Sequence, residues 1–172
     1  MKKILINLML LFFLCPGGYA QDNLSELDKR NGFKSVKLGM PIDSVNGAVF
    51  IKEFKEKGHH PAKLFSITSP ETSSISEIPV NKLEVKTYRD MIYEITVLTP
   101  LDTRLMKGLE SAYGKPVYDV RDKTYTWLGQ TLSLKFSQAP KDQLQLVYSS
   151  VPVRKMMMED KNKKIDTIAS DF

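Results

Sequence analysis

Apolar and polar positions alternate with period two along several stretches of this chain. Lys82–Tyr88 sets Leu83, Val85 and Thr87 on one face and Glu84, Lys86 and Tyr88 on the other. Thr131–Ser137 sets Leu132, Leu134 and Phe136 against Thr131, Ser133, Lys135 and Ser137, and Gln143–Ser150 reads as another strand. Such alternation predicts half-buried strands. Phe33–Leu38, Leu64–Thr68, Met91–Leu98 and Tyr118–Leu128 are further predicted strands. Arg89-Asp90 predicts a tight hairpin turn between Lys82–Tyr88 and Met91–Leu98, and Gly129-Gln130 and Ala139–Asp142 predict two more turns.

Three stretches carry the spacing of a helix face instead. Ile42, Val45, Val49, Phe50 and Phe54 predict a helix that begins after Pro41, carries Asp43 in its first turn and ends at Gly58. Thr99-Pro100-Leu101-Asp102 predicts the start of a second helix, with Thr99 as its cap. Its stripe is Leu101, Leu105, Leu109, Ala112 and Tyr113, and Gly114-Lys115-Pro116 is its stop. After Pro152, a stripe of Val153, Met157, Ile165, Ile168 and Phe172 marks a charged C-terminal helix, with Arg154, Lys155, Lys161, Lys163 and Lys164 opposite it.

Pro41-Ile42-Asp43-Ser44 and Pro100-Leu101-Asp102-Thr103 match in type. Each opens a predicted helix followed by three predicted strands, so the chain reads as a tandem helix–β–β–β repeat over 33–98 and 99–151. Pro and Asp at a helix start also recur for capping alone. The expected fold is α+β, an antiparallel sheet covered on one face by helices. Residues 21–32 are read as a flexible lead-in, 33–152 as the domain and 153–172 as the terminal helix.

Composition then narrows the chemistry. Lys2 and Lys3 precede an apolar run from Ile4 to Cys15, then Pro16-Gly17-Gly18 and the small residues Gly18 and Ala20. This is the pattern of an export signal over 1–20, cleaved before Gln21, and the run is too short to span a bilayer. The expected location is periplasmic or secreted, with no integral membrane segment left after cleavage. Leu14 stands where lipid attachment to Cys15 wants a small residue, which speaks against an anchor. Cys15 is the only cysteine, so disulfides and thiol chemistry drop out of the mature chain. The formal charge of +5 falls to +3 without Lys2 and Lys3, too mild to argue for nucleic acid.

Gly39-Met40-Pro41-Ile42-Asp43-Ser44-Val45 resembles the opening of small exported bacterial envelope proteins. Tyr113-Gly114-Lys115-Pro116, followed by a strand with Tyr125 and Trp127, resembles their later helix end and hairpin. By pattern, 33–150 is similar to exported proteins of Bacteroides-type bacteria, and more distantly to small outer-membrane-assembly lipoproteins and tandem β-lactamase-inhibitor-like proteins. The Ala20-Gln21 junction fits the signals of the first group. The resemblance implies helices followed by three- or four-stranded antiparallel sheets, and binding of proteins rather than catalysis. The lipid-attachment box is missing, and no functional residue carries over.

No motif supplies a catalytic constellation. The two histidines, His59 and His60, are adjacent and read as exposed loop residues. G-x-S-x-G, H-E-x-x-H and glycine-rich phosphate loops are absent from the sequence. A hydrolase of glycan or peptide would have to use carboxylates among Glu71, Glu77, Glu84, Glu94 and Glu110. Glu84 and Glu94 read more simply as cross-strand partners of lysines. Trp127 is read as core. The leading expectation is a non-catalytic module that binds an envelope or extracellular protein, without cofactor or metal. Its candidate contacts are Ser69, Glu71, Ser73, Ser74 and Glu77 in the serine-rich Ser69–Pro79 loop, with Tyr118 and Tyr125 as an aromatic patch.

Overall fold

The computed structural model describes residues 25–57, 60–170 and 172. Residues 1–24, which include the expected export signal over 1–20 with Cys15, and Gly58, His59 and Asp171 lie outside the described residues. Helix α1 (Glu26–Arg30) leads into a small hairpin of β1 (Gly32–Phe33) and β2 (Val36–Lys37). A 3-10 turn at Ile42–Ser44 precedes β3 (Ala48–Glu56) and β4 (His60–Ile67). A second 3-10 turn, Pro70–Thr72, is followed by a two-residue hairpin of β5 (Ser74–Ile75) and β6 (Ile78–Pro79). Then come β7 (Lys82–Tyr88), β8 (Met91–Pro100), α2 (Arg104–Tyr113), β9 (Val117–Asp119), β10 (Thr124–Leu128), β11 (Leu132–Ala139), β12 (Gln143–Ser150) and α3 (Val151–Ala169).

Eight strands form one antiparallel sheet in the order β3-β4-β7-β8-β12-β11-β10-β9. It consists of two four-stranded meanders laid edge to edge. The seam is β8 against β12, in register from Pro100 opposite Gln143 to Glu94 opposite Ser149. The α+β class with an antiparallel sheet is therefore what the chain adopts. Each half contributes four strands, not three, and only the second is preceded by a full helix.

The core lies on one face of this sheet. Leu83 and Val85 of β7, Ile95 and Val97 of β8, Leu132, Leu134 and Phe136 of β11 and Leu144 and Leu146 of β12 alternate into it. Leu105 and Leu109 of α2 and Leu27 of α1 close it from above. Trp127 is buried and donates its indole N–H to the Gly114 carbonyl at 2.7 Å, which ties β10 to the end of α2. Arg89 and Asp90 both have positive φ, as a two-residue primed hairpin turn requires.

Four expectations are corrected. The helix after Pro41 is a single 3-10 turn, and the rest of that stretch is β3. Gly47 explains the switch: its φ is +77° and a Cβ there would stand 2.0 Å from the Thr68 carbonyl oxygen, so the chain must turn into a strand at that point. Residues Val49, Phe50 and Ile51 then favour the extended form. Second, the lead-in 21–32 is ordered from Ser25 onward. Asp28 is buried and accepts from the amides of Gln130 (2.9 Å) and Thr131 (2.8 Å), the Thr131 hydroxyl (2.7 Å) and the Ser25 hydroxyl (2.6 Å). Third, the helices do not all share one face, because α3 lies on the face opposite α2. Fourth, its apolar stripe packs only in its first half. Val153 and Met157 are buried, whereas Ile165, Ile168 and Phe172 are exposed.

Candidate functional site

The face that carries α3 owes its chemistry to a bulge. Lys86 of β7 opposes Glu94 and the next residue, Thr87, opposes Ile92, which leaves Tyr93 as an extra residue on β8. Ile92 and Ile95 both stay in the core, while Tyr93 is turned to the other side and is buried beneath α3 with Ala62, Tyr88, Val153 and Met157. Its hydroxyl donates to Glu56 at 3.0 Å. Burial pushes the Tyr93 phenol well above its ordinary pKa, and the Glu56 carboxylate adds to this.

Around Tyr93, two carboxylates and two cations meet. Lys86 pairs with Glu94 at 2.8 Å and lies 3.7 Å from Glu56. Arg154 of α3 donates to Glu94, approaches Glu56 at 4.0 Å and lies 5.2 Å over the Tyr93 ring. All four are half-buried, so the pairs are less screened than surface ones. This cluster clamps α3 to the sheet. Arg154→Ala will leave Lys86 as the one cation in contact with the two carboxylates, a loss of about 2 kcal/mol. Hydrogen exchange will show it as faster opening of the first turns of α3, with Leu134 in the core unchanged.

Beyond the clamp, α3 and the sheet enclose a groove of about 760 Å³. Phe54 of β3, Ala62 of β4 and Tyr88 of β7 form its apolar floor, and Asp160, Lys163 and Lys164 of α3 form one wall. Tyr88 donates its hydroxyl to Asp160 at 2.7 Å, and Arg89 pairs with the same carboxylate at 2.7 Å. The hydrogen bond from Tyr88 holds the Asp160 carboxyl below the usual range against the effect of burial, with Arg89, Lys163 and Lys164 helping. Lys63 is paired with Asp90 at 2.9 Å. No ion pair engages Lys55, Lys163 or Lys164 among the described residues. The groove thus keeps three uncommitted cations beside an apolar floor.

His60 is buried on β4 and stacks edge-on against Tyr88, with centroids 6.0 Å apart. That corrects its reading as an exposed loop histidine; the apolar side of the strand, not the turn, sets its environment. The outer side of the groove is β3, the first strand of the sheet. Its outer edge has no strand partner among the described residues. Val49, Phe50 and Ile51 on it are 58%, 53% and 44% exposed. The first half of β3 is thus apolar and exposed, while Lys52, Glu53, Lys55 and Glu56 and a pairing irregularity at Ile51 mark the rest, and open edges are what natural sheets usually protect.

The sequence-derived contact residues lie elsewhere. The Ser69–Pro79 segment is tied down by Ile75 and Ile78, which pack on the core together with the following Val80. Ser69 and Ser74 are half-buried, while Glu71, Ser73 and Glu77 are exposed. The Glu71 carbonyl accepts from Lys34 at 2.8 Å and Glu77 lies 3.6 Å from Arg104. Tyr118 and Tyr125 stack with centroids 4.5 Å apart on β9 and β10. The loop packs over β8 through β6, whereas the tyrosines lie on β9 and β10 at the far edge of the sheet. Of the carboxylates considered for hydrolysis, Glu84 pairs with Lys82 at 2.8 Å and Glu94 belongs to the clamp. The bulge at Tyr93 and the edge position of β3 left no mark in the alternation; Asn46-Gly47 was the one turn signal that could have located β3.

No family model, curated protein or solved structure matches this chain.

Proposed function

We propose that the protein is an exported binding module that captures an extended, acidic segment of another protein along the outer edge of β3. The observation that carries this reading is the open nine-residue edge strand bordering an apolar groove with three uncommitted lysines. In strand addition, main-chain hydrogen bonds to an exposed edge supply affinity and side-chain pockets supply specificity. Here Phe54 and Tyr88 offer the apolar surface, and Lys55, Lys163 and Lys164 attract carboxylates and repel basic segments. Binding takes place outside the cytoplasm, in keeping with the export pattern at 1–20, and involves no covalent step.

Fluorescence anisotropy with two labelled peptides tests this. A Glu-Val repeat will bind, and a Lys-Val repeat of equal length will not. The double variant K163Q/K164Q will weaken capture of the acidic peptide by at least tenfold while leaving the melting temperature nearly unchanged, since both side chains are solvated. V49D will weaken it too, because a new carboxylate on the edge strand repels an acidic segment. Equal binding of both peptides, or unaltered binding by both variants, would remove the assignment.

A further inference from the structure

A second cavity lies across the sheet, on the core face, and shares no residue with the α3 groove. It measures about 550 Å³ and opens between α1, the β1–β2 hairpin and α2. That volume is within the usual range for small-molecule sites, roughly 300–1,000 Å³. Leu105 and Leu109 of α2 and Leu146 of β12 line it, with Phe33 and Ile75 at its sides. The cavity exists because α2 carries Gly108 and Ala112 on the side that borders it. A Cβ built at Gly108 meets nothing within 4 Å, so the helix leaves open space where a larger residue would fill it.

One rim is cationic. Lys34 donates its ammonium to the Glu71 carbonyl at 2.8 Å, and Lys37 donates to the Arg30 carbonyl at 2.8 Å. Both acceptors are neutral, so two full charges remain uncompensated by a carboxylate. Arg30 also lines the rim, where its pairing with Glu26 at 3.0 Å offsets its charge. The ammonium groups are held in place by the main chain, and no reorganisation of the fold is needed to present them to an anion.

We propose that this cavity binds a single-chain amphiphile with an anionic head, its chain along Leu105, Leu109 and Leu146 and its head between Lys34 and Lys37. A chain of methylenes removes the apolar walls from water, and the head stays at the solvated rim where the lysines are. A cationic or uncharged head would lose the rim interaction or be repelled by it. This site is independent of the peptide reading, since neither its walls nor its rim includes β3 or α3.

Titration calorimetry of the purified protein with laurate, dodecanol and dodecyltrimethylammonium below their aggregation limits tests it. Laurate is expected to bind at least tenfold more tightly than the cationic amphiphile. G108L will fill the space and abolish laurate binding, and its melting temperature will not fall, because leucine is the better helix former. K34Q/K37Q will weaken laurate at least tenfold and leave dodecanol unchanged. Absence of laurate binding by the unmodified protein, full binding by G108L, or indifference to head-group charge would each overturn the proposal.

Discussion

Replacing Asp28 with alanine will destabilise the domain by about 3 kcal/mol, although the residue sits in a helix of only five residues near the start of the described chain. Its carboxylate satisfies two main-chain amides of the β10–β11 turn and the hydroxyls of Thr131 and Ser25. Alanine would leave the Gln130 and Thr131 amides without their acceptor in a part-buried place. Gly129 stands against the same carboxylate: a Cβ there would lie 2.6 Å from both oxygens, so the turn is shaped around the acid. Burial alone would raise the Asp28 pKa, and the hydrogen bonds from Ser25, Thr131 and Gln130 more than reverse this, placing it well below the usual carboxylate range. A carboxyl lowered in the folded state stabilises it fully above its unfolded pKa, about 4, and the benefit is lost as pH falls through the folded value. Urea midpoints will therefore fall with acidification in the native protein, and the alanine variant will show less of that slope. Glu26→Ala, which breaks only an exposed pair with Arg30, will stay within about 0.5 kcal/mol and serves as the control.

Gly47→Ala is expected to lower stability by a similar amount, about 3 kcal/mol, through two separate effects. The backbone at φ +77° is unfavourable for any L side chain, and the new methyl would meet the Thr68 carbonyl at 2.0 Å. That carbonyl belongs to main chain that cannot swing away, since the Thr68 amide is bonded to the Gly47 carbonyl at 2.9 Å. The start of β3 must move off β4. Thermal unfolding will report the loss, and hydrogen exchange will place it at Ala48–Phe50 first. Because the same strand carries the open edge, peptide capture should weaken in this variant more than at the distant Asp28→Ala, when both are compared at temperatures where they remain folded.

The central strands were legible because both of their faces have a constant fate along their length. β7 and β12 run over 82–88 and 143–150 as the sequence predicts, since a core on one side and water or polar pairs on the other enforce the alternation. β3 was not legible, because an edge strand with apolar residues exposed on it has no such contrast, and its apolar spacing happened to fit a helix face. α2 was legible from its stripe, although Thr99 is buried in β8 rather than capping, and Asp102 takes the first amide through a bond from Arg104 at 2.9 Å. The α3 groove was hidden for a different reason. Its walls come from three strands, the β7–β8 turn and α3, brought together by a bulge and by ion pairs, and no local pattern encodes either. The single residues were in view, Glu94 as a lysine partner and Lys163 and Lys164 as a basic face, but their meeting required the third dimension.

The seam between β8 and β12 has a consequence for how the chain is made. Within each meander, strands that are neighbours in the sheet lie close along the chain, with only the 3-10 turn at Pro70–Thr72 and the β5–β6 hairpin set between β4 and β7, so they can pair soon after they emerge from the ribosome or a translocation pore. β8 cannot find β12 until α2 and three more strands have followed. In that interval it exposes an unpaired edge bearing Ile95 and Val97, both fully buried in the finished fold. Because the seam is antiparallel, a second copy of β8 presents a geometrically acceptable substitute for β12. A chain interrupted before Gln143 thus leaves this edge open, and the arrival of β12, the last strand of the second meander, closes it.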